Sequence, residues 1–392
     1  MRRYLFRSLV VAVFCLFLSL SVFAGCDEQP GVRLYRVIYT AGQAAEKKDR
    51  AKALELLEKF QQDHPDQHHY LLFANLANSY AAEGKYQQAL GAYQKALKQC
   101  STDVTLWQNQ ASVAWALKRY QLAADSLQHV WNLQPSDELL FNLALARMHT
   151  GEKQSALKLL EEVLDRTAST EYMDRVDTFI GLCLELDQFN RALASLDRWQ
   201  ERLEGQARFW YLRAIVHVRS NNHVKAAACL EVFSTFAPLK NTDKRLLADL
   251  LLQSSAPLRA AVLYEEMLKN KPGDKDLLEQ LVIAYRVGVR PRQALKAVKK
   301  LIKVSKTAQS LRDKGDICFQ LERYEEAYNA YADLARIGDK SGSTYLYQAY
   351  SALRLKRHQD ARRALQKALK YKKQRKEARR ILAWLNAVQH KP

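Results

Sequence analysis

A pattern of small, apolar and polar positions recurs along this chain. A small residue is followed three positions later by an aromatic or apolar residue, then by a polar or glycine gap, an aromatic residue, and an alanine three positions further on. Residues 70–103 show the pattern best, with Ala77, Tyr80, Gly84, Tyr86, Ala89, Tyr93 and Ala96. This pattern predicts two antiparallel helices that approach closely at the alanine, with aromatic rings filling the volume on either side.

The length of the repeat follows from one alanine per unit, taken as the point where the two helices cross. These alanines are Ala53, Ala89, Ala123, Ala156, Ala192, Ala227, Ala260, Ala294, Ala327 and Ala361. Their spacings are 36, 34, 33, 36, 35, 33, 34, 33 and 34 residues. Such regular spacing is far more specific than a single motif and predicts ten stacked helix pairs.

This pattern and period resemble those of the tetratricopeptide repeat family. The resemblance covers nearly all of the chain after the first 26 residues, and it implies an all-α, right-handed superhelical solenoid of about ten helix-turn-helix repeats. Residues Arg375–Gln389 form one more amphipathic segment, predicted to cap the last repeat. The predicted divisions are a signal peptide (1–25), a tether (26–33), repeats one to four (34–172), repeats five to ten (173–373) and a basic capping helix (374–392).

Composition agrees with an ordered helical array. Of 392 residues, 48% are apolar, and only 13 are Gly and 8 are Pro. These values exclude a disordered chain and a turn-rich β protein. The length is too great for one globular core, and no linker separates two globular halves.

The first 26 residues are predicted to be an export signal. Three arginines precede an apolar run over residues 9–18, and small residues follow it. The segment ending at Cys26 resembles a bacterial lipoprotein box, although Phe23 stands where Leu is usual. The resemblance implies that Cys26 is acylated and becomes the mature N-terminus. Cleavage after Ala24 and an uncleaved membrane anchor stay open as alternatives.

All three alternatives place the rest of the chain outside the cytoplasm. We expect a lipid-anchored protein of the bacterial cell envelope that faces the periplasm. Asp27 follows the cysteine and resembles the signal that retains lipoproteins in the inner membrane, which favours the inner membrane over the outer.

The net charge of +19 is concentrated at one end. Residues 271–392 hold 29 basic and 12 acidic side chains, a balance of +17, whereas residues 26–270 balance at −1. A basic patch is predicted at Arg354, Arg362, Arg363, Lys372, Lys373, Arg375, Lys376, Arg379 and Arg380. An anionic glycan, a phospholipid surface or an acidic protein would suit this patch, and nucleic acid is not expected outside the cytoplasm.

Asparagines recur at the sixth position of three predicted first helices: Asn75, Asn109 and Asn142. In peptide-binding members of the family this position faces the concave groove, so the resemblance implies an amide ladder along the backbone of an extended ligand. A simple abundance of Asn at this position is the alternative. Further groove residues are predicted at Asn78, Trp115, Phe141 and Met148.

No enzyme motif is found, so we predict a binding protein without cofactor, metal or catalytic residues. Cys100, Cys183, Cys229 and Cys318 are interpreted as small core residues, with a disulfide between Cys183 and Cys229 left open. The histidines at 64, 68 and 69 are interpreted as a solvated loop.

Two functions are therefore considered. The first is a membrane-tethered adaptor that holds an extended segment of a protein partner in an envelope assembly or export system. The second is a protein that binds or guides an anionic envelope polysaccharide through its basic C-terminal repeats.

Overall fold

A computed structural model describes residues 26, 29–339 and 341–389 of the chain. These residues form α-helices and one short 3₁₀ helix (170–172), with no strand among them. The helices are α1 Val32–Glu46, α2 Arg50–Asp63, α3 Tyr70–Ala82, α4 Tyr86–Gln99, α5 Val104–Ala116, α6 Tyr120–Leu133, α7 Asp137–Thr150, α8 Lys153–Thr167, α9 Met173–Glu185, α10 Phe189–Leu203, α11 Ala207–Arg219, α12 His223–Phe236, α13 Asn241–Gln253, α14 Pro257–Asn270, α15 Lys275–Val287, α16 Pro291–Val304, α17 Ala308–Gln320, α18 Tyr324–Arg336, α19 Gly342–Arg354, α20 His358–Ala368 and α21 Arg375–Gln389.

The helices from α1 to α20 pair as ten repeats, each with a first helix and a second helix. One residue in the turn between them takes a positive φ, the left-handed conformation that reverses the chain. Gly84 and Gly151 fill this position in repeats two and four. The other eight repeats use Lys48, Lys118, Asp187, Asn221, Ser255, Val289, Glu322 and Lys356.

The predicted helix crossings are confirmed, with one correction. The fourth residue of every second helix is a buried alanine. In repeat six the sequence analysis chose Ala227, but α12 begins at His223, so the fourth residue is Ala226. Ala226 is 0% exposed and Ala227 4%. Three consecutive alanines stand there, and only the start of the helix decides which of them lies at the crossing.

Two compact units divide the chain, the first ending at Gly205 and the second beginning at Gln206. This division comes one repeat later than the predicted boundary at residues 172 and 173, where the 3₁₀ helix meets α9. In the second unit, α21 buries Ala378, Ile381 and Leu385 against α19 and α20, as expected of a capping helix.

The predicted tether is partly structured. Helix α1 begins at Val32, and Cys26 packs against the core of the first repeats, where it is joined to Cys100 by a disulfide. Cys183, Cys229 and Cys318 are buried free thiols, so no disulfide joins the first two. The predicted export signal (1–25) and Asp27 lie outside the described residues. Within the described part, no helix combines the length and apolar character needed to cross a membrane.

Gly315 provides a test of the packing in repeat nine. A Cβ atom at this position would lie 2.6 Å from Cε1 of the Tyr331 ring, whereas one at Gly181 would meet nothing within 4 Å. We expect Gly315→Ala to lower the free energy of unfolding by about 1–3 kcal/mol through overpacking. Gly181→Ala should instead raise it by about 0.5–1 kcal/mol, because glycine is unfavourable inside a helix. Urea unfolding of both variants checks this, and equal midpoints would contradict the packing described.

Candidate functional site

The three sixth-position asparagines lie half-buried on the first helices of repeats two to four. The Asn75 amide donates to the Leu71 carbonyl of its own helix at 2.8 Å. The Asn109 amide donates to Oδ1 of Asn78 at 3.2 Å. Asn142 makes no side-chain hydrogen bond within the described residues. The structure therefore brings Asn78 and Asn109 together, and the Asn75 amide bonds locally.

Asn78 takes part in a brace that recurs in the structure. Its Oδ1 atom accepts a hydrogen bond from the Tyr93 hydroxyl at 2.5 Å. The same bond joins the eighth residue of the second helix to the ninth residue of the first helix in two later repeats. These pairs are Tyr264 with Asp249 at 2.5 Å and Tyr331 with Asp316 at 2.8 Å. Asn78 is therefore a structural residue as well as a groove candidate.

Trp115 belongs to an aromatic cluster at the end of α5. Its ring lies edge-on to Tyr120 at 5.3 Å and to His149 at 5.2 Å. Tyr120 and His149 stack on each other with centroids 4.4 Å apart, and burial lowers the pKa of His149. Met148, next to His149 on α7, is half-buried. This cluster links repeats three and four.

Phe141 lies in a second cluster, beneath a guanidinium group. Arg175 stands 4.7 Å from the Phe141 ring centroid and 4.2 Å from that of Tyr172, and its charge is paired with Glu138. The Phe141 ring is therefore occupied by a cation of the protein itself. The sequence analysis did not identify Arg175.

The histidines at 64, 68 and 69 face different neighbours. His69 accepts a hydrogen bond from the backbone N–H of Leu71 at 3.2 Å and caps α3. His68 stacks on Phe73 with centroids 6.4 Å apart. In the described part of the chain, no group of three or more His, Cys, Asp or Glu side chains is placed to hold a metal ion.

The predicted basic patch lies on α19, α20, α21 and the turn before α21. Its residues are exposed except Arg362, which is half-buried. Ion pairs join Arg363 to Asp360 at 3.7 Å and Arg380 to Glu377 at 2.6 Å. Arg354 lies over the Tyr324 ring, and Arg375 donates to the Leu369 carbonyl at 3.0 Å. Within the described residues no carboxylate pairs with Lys372, Lys373, Lys376 or Arg379.

Two open surface pockets that were not predicted from the sequence lie on the first helices of repeats eight to ten, and we call them together the C-terminal groove. One cavity of about 300 Å³ lies between α17 and α19. It is lined by Arg312, Asp316, Phe319, Tyr331, Ser343, Thr344 and Tyr347. A second cavity of about 360 Å³ lies between α15 and α17. It is lined by Ile283, Arg286, Val287, Val289, Pro291, Ile317 and Gln320.

Charges of both signs lie along the C-terminal groove. Arg286 pairs with Asp313 and reaches Asp316 at 3.9 Å. Burial raises the pKa of Asp313, and the nearby Arg286 only partly offsets this. Arg312 pairs with Asp339 at 3.2 Å. The charged groups along the groove are therefore held in place by ion pairs within the protein.

The apolar part of the groove is open to solvent. Tyr347 is 43% exposed and stacks on Tyr331 with centroids 5.8 Å apart, with Phe319 edge-on at 6.4 Å. Ile283 and Val287 on α15 are also exposed. Exposed aromatic and aliphatic side chains beside fixed polar groups are typical of a ligand site.

The sequence does contain a signal for this groove, namely the residue at the sixth position of each first helix. Asp313 and Tyr347 occupy the sixth positions of α17 and α19, the same position as the three asparagines. The groove prediction rested on asparagine at this position and not on other residue types. Applied to every repeat, the same rule identifies both side chains.

Comparison with known proteins identifies the repeats. Family models of the tetratricopeptide repeat match residues 36–66, 73–251 and 280–342. No curated protein matches the chain.

Similar solved structures include Naa15/Naa10 bound to HypK-THB, at 13% identity and a TM-score of 0.47, where the match covers 88% of this chain and 65% of that one. YrrB, a TPR protein with an unusual peptide-binding site, is 18% identical with a TM-score of 0.36, over 46% and 92% of the two chains. A tetratricopeptide repeat protein from Parabacteroides merdae is 16% identical with a TM-score of 0.31, over 82% and 99%. With three family matches spread along its ten helix pairs, this chain belongs to the tetratricopeptide repeat family.

Proposed function

We propose that this protein is a membrane-tethered periplasmic scaffold that binds extended segments of protein partners in an envelope assembly or export system. The tetratricopeptide fold supports a role in protein–protein interaction. The export signal predicted for residues 1–25 supports a position outside the cytoplasm, with the inner membrane favoured. The observation that carries the proposal is the C-terminal groove, with its two cavities and its exposed aromatic ring.

The C-terminal groove suits an extended peptide in three ways. Its cavities of about 300 and 360 Å³ are large enough for side chains of a bound segment. Tyr347 presents a rigid aromatic surface that costs little entropy to bury. Arg312 and Asp316 lie beside it and provide a donor and an acceptor for backbone or side-chain groups. The ligand we infer is a segment with an apolar or aromatic residue next to polar ones.

Repeats two to four provide a second candidate segment of the scaffold. Asn142 is half-buried and keeps its whole amide available within the described residues. Asn75 and Asn109 each retain an acceptor oxygen beyond the bonds described above. We propose that these three amides bind the backbone of a separate peptide segment.

The test is a pull-down from detergent-solubilised membranes with variants of each surface. Tyr347→Ala with Arg312→Ala should weaken capture of a protein partner by about 30-fold, since a central aromatic contact is worth about 2 kcal/mol. Tyr35→Ala is the matched control, because Tyr35 is an exposed tyrosine of α1, far from the groove along the chain. Replacing Asn75, Asn109 and Asn142 with Ala tests the second segment. Each hydrogen bond lost to the ligand should weaken binding by about 0.5–1.5 kcal/mol. If all these variants retain every partner, the scaffold proposal is wrong.

The basic patch supports a second candidate function, the binding of an anionic polysaccharide. Trp384 of α21 is 52% exposed and lies one and two helical turns from Arg380 and Lys376. An aromatic ring beside cations suits the stacking and charge pairing of an acidic sugar chain. In the same assay, reversing Arg362, Arg363, Lys372 and Lys373 to Glu should release such a polymer and retain protein partners. Polymer binding should also weaken steeply with salt, whereas binding in the groove should not.

A further inference from the structure

Cys26 and Cys100 occupy a defined site at the end of repeat two. Cys100 ends helix α4 and is 1% exposed, and Cys26 lies half-buried against the core of the first repeats. Their Cα atoms are 5.6 Å apart, within the usual range for a disulfide. Cys26 Sγ also lies 3.6 Å from the hydroxyl oxygen of Thr102. Packing, and not only a covalent bond, therefore positions the N-terminal segment.

The same sulfur is the one that the proposed lipid anchor requires. In a lipoprotein anchor the cysteine sulfur is joined to a diacylglyceryl group by a thioether bond, and a sulfur with two single bonds to carbon cannot also form a disulfide. A single chain therefore cannot have both an anchored Cys26 and a Cys26–Cys100 bond. The departure of Phe23 from the usual lipoprotein pattern allows for chains that escape acylation.

We propose that the Cys26 sulfur has two alternative covalent states: a lipid anchor that leaves Cys100 as a free thiol, or a disulfide to Cys100 in chains that are not acylated. The first state depends on the function proposed above, and the second does not. In the second state the two thiols lose two protons and two electrons. The electrons pass to a disulfide-bearing oxidoreductase of the export compartment, which is reduced to its dithiol form.

The other cysteines are poorly placed to form a disulfide with Cys26 or with Cys100. Cys183, Cys229 and Cys318 are buried free thiols, each in a different repeat. Among the described cysteines, Cys100 alone is joined to Cys26, with a Cα–Cα distance that suits a disulfide. Cys100 is therefore the partner that the fold supplies for Cys26.

The first experiment isolates the second state. Residues 26–392 are exported behind an ordinary cleaved signal without a lipoprotein box, and the purified protein is alkylated in denaturant. Without reductant we expect three alkylated cysteines, Cys183, Cys229 and Cys318, and after reduction all five of the segment. Cys100→Ser and Cys26→Ser are matched controls, each with four alkylated cysteines in the absence of reductant. Alkylation of all five in the unreduced parent protein would overturn the proposal.

The second experiment examines the full chain with its own leader. In the membrane fraction we expect the mass of an acylated Cys26 and a Cys100 that alkylates without reduction. Acylated Cys26 together with a Cys100 that alkylates only after reduction would overturn the exclusive choice. If no chain is acylated but the disulfide forms, the proposed anchor fails and the disulfide state stands. If every chain is acylated and the first experiment shows five free thiols, the anchor stands and the disulfide inference fails.

Discussion

Ala89→Glu is expected to unfold repeat two and weaken the repeats on either side of it. Ala89 is the fourth residue of α4, 0% exposed, at the crossing of α3 and α4. A carboxylate there would lie in the apolar core of the first repeats, and burying an unpaired ion costs several kcal/mol. Because each repeat is stable only through its neighbours, the loss should spread beyond one helix pair. Circular dichroism melting and amide hydrogen exchange of α3–α6 measure the effect.

Gln88→Glu is the matched control for this variant. Gln88 is exposed and precedes Ala89 on the same helix. The change adds the same charge within the first turn of α4, where an acidic group is favourable. We expect its melting curve to match that of the parent protein. Equal melting curves for Ala89→Glu and the parent would show that the helix crossing has been placed wrongly.

Trp199→Ala is expected to lower the free energy of unfolding of the first unit by about 3–5 kcal/mol, as for other buried large-to-small substitutions. Trp199 is fully buried and packs edge-on against Phe179 with centroids 5.2 Å apart. Its indole N–H donates to Asp165 at 2.9 Å, across from repeat five to repeat four. The variant loses both the volume and this bond. Chemical denaturation followed by tryptophan-independent far-ultraviolet dichroism provides the measurement.

Trp199→Phe separates the two contributions. Phenylalanine retains most of the aromatic volume but has no N–H group for Asp165. This variant should lower the free energy of unfolding by an amount closer to the roughly 0.5–1.5 kcal/mol of one hydrogen bond, with a smaller contribution from the lost ring volume. If both substitutions lower the free energy of unfolding by the same amount, the hydrogen bond contributes more than the packing, and the expected ranking of the two contributions is wrong.

The repeats were predictable because their cause is local in sequence. An alanine at the helix crossing and a large apolar or aromatic residue four positions later recur with the repeat, as in Ala327 and Tyr331, and each can be recognised without knowing the rest of the fold. The exception was repeat six, where Ala226, Ala227 and Ala228 form an uninterrupted run. There the composition is uniform, and the position of the crossing depends on where the chain turns.

The contacts of the candidate sites were less predictable, because they depend on which residues of different repeats meet. Cys26 and Cys100 are separated by 74 positions and share no motif spacing. The partner of Phe141 is Arg175, from the following repeat. The placement of Asn78 and Asn109 on the correct helices was predicted, but not the hydrogen bond between them. The position of a residue within its repeat can be predicted from the sequence, whereas a contact between repeats also depends on rotamers and helix packing.

The three buried thiols can report local opening of the helices without any added probe. Cys183, Cys229 and Cys318 lie in repeats five, six and nine. Burial raises the pKa of each, that of Cys183 to about 12, so the native thiols are almost entirely protonated near neutral pH. Reaction with a thiol reagent must then wait for the surrounding helices to separate, and its rate follows the population of the opened state. A single labelling time course, resolved by peptide mass, would therefore give opening free energies at three points along the array without any substitution.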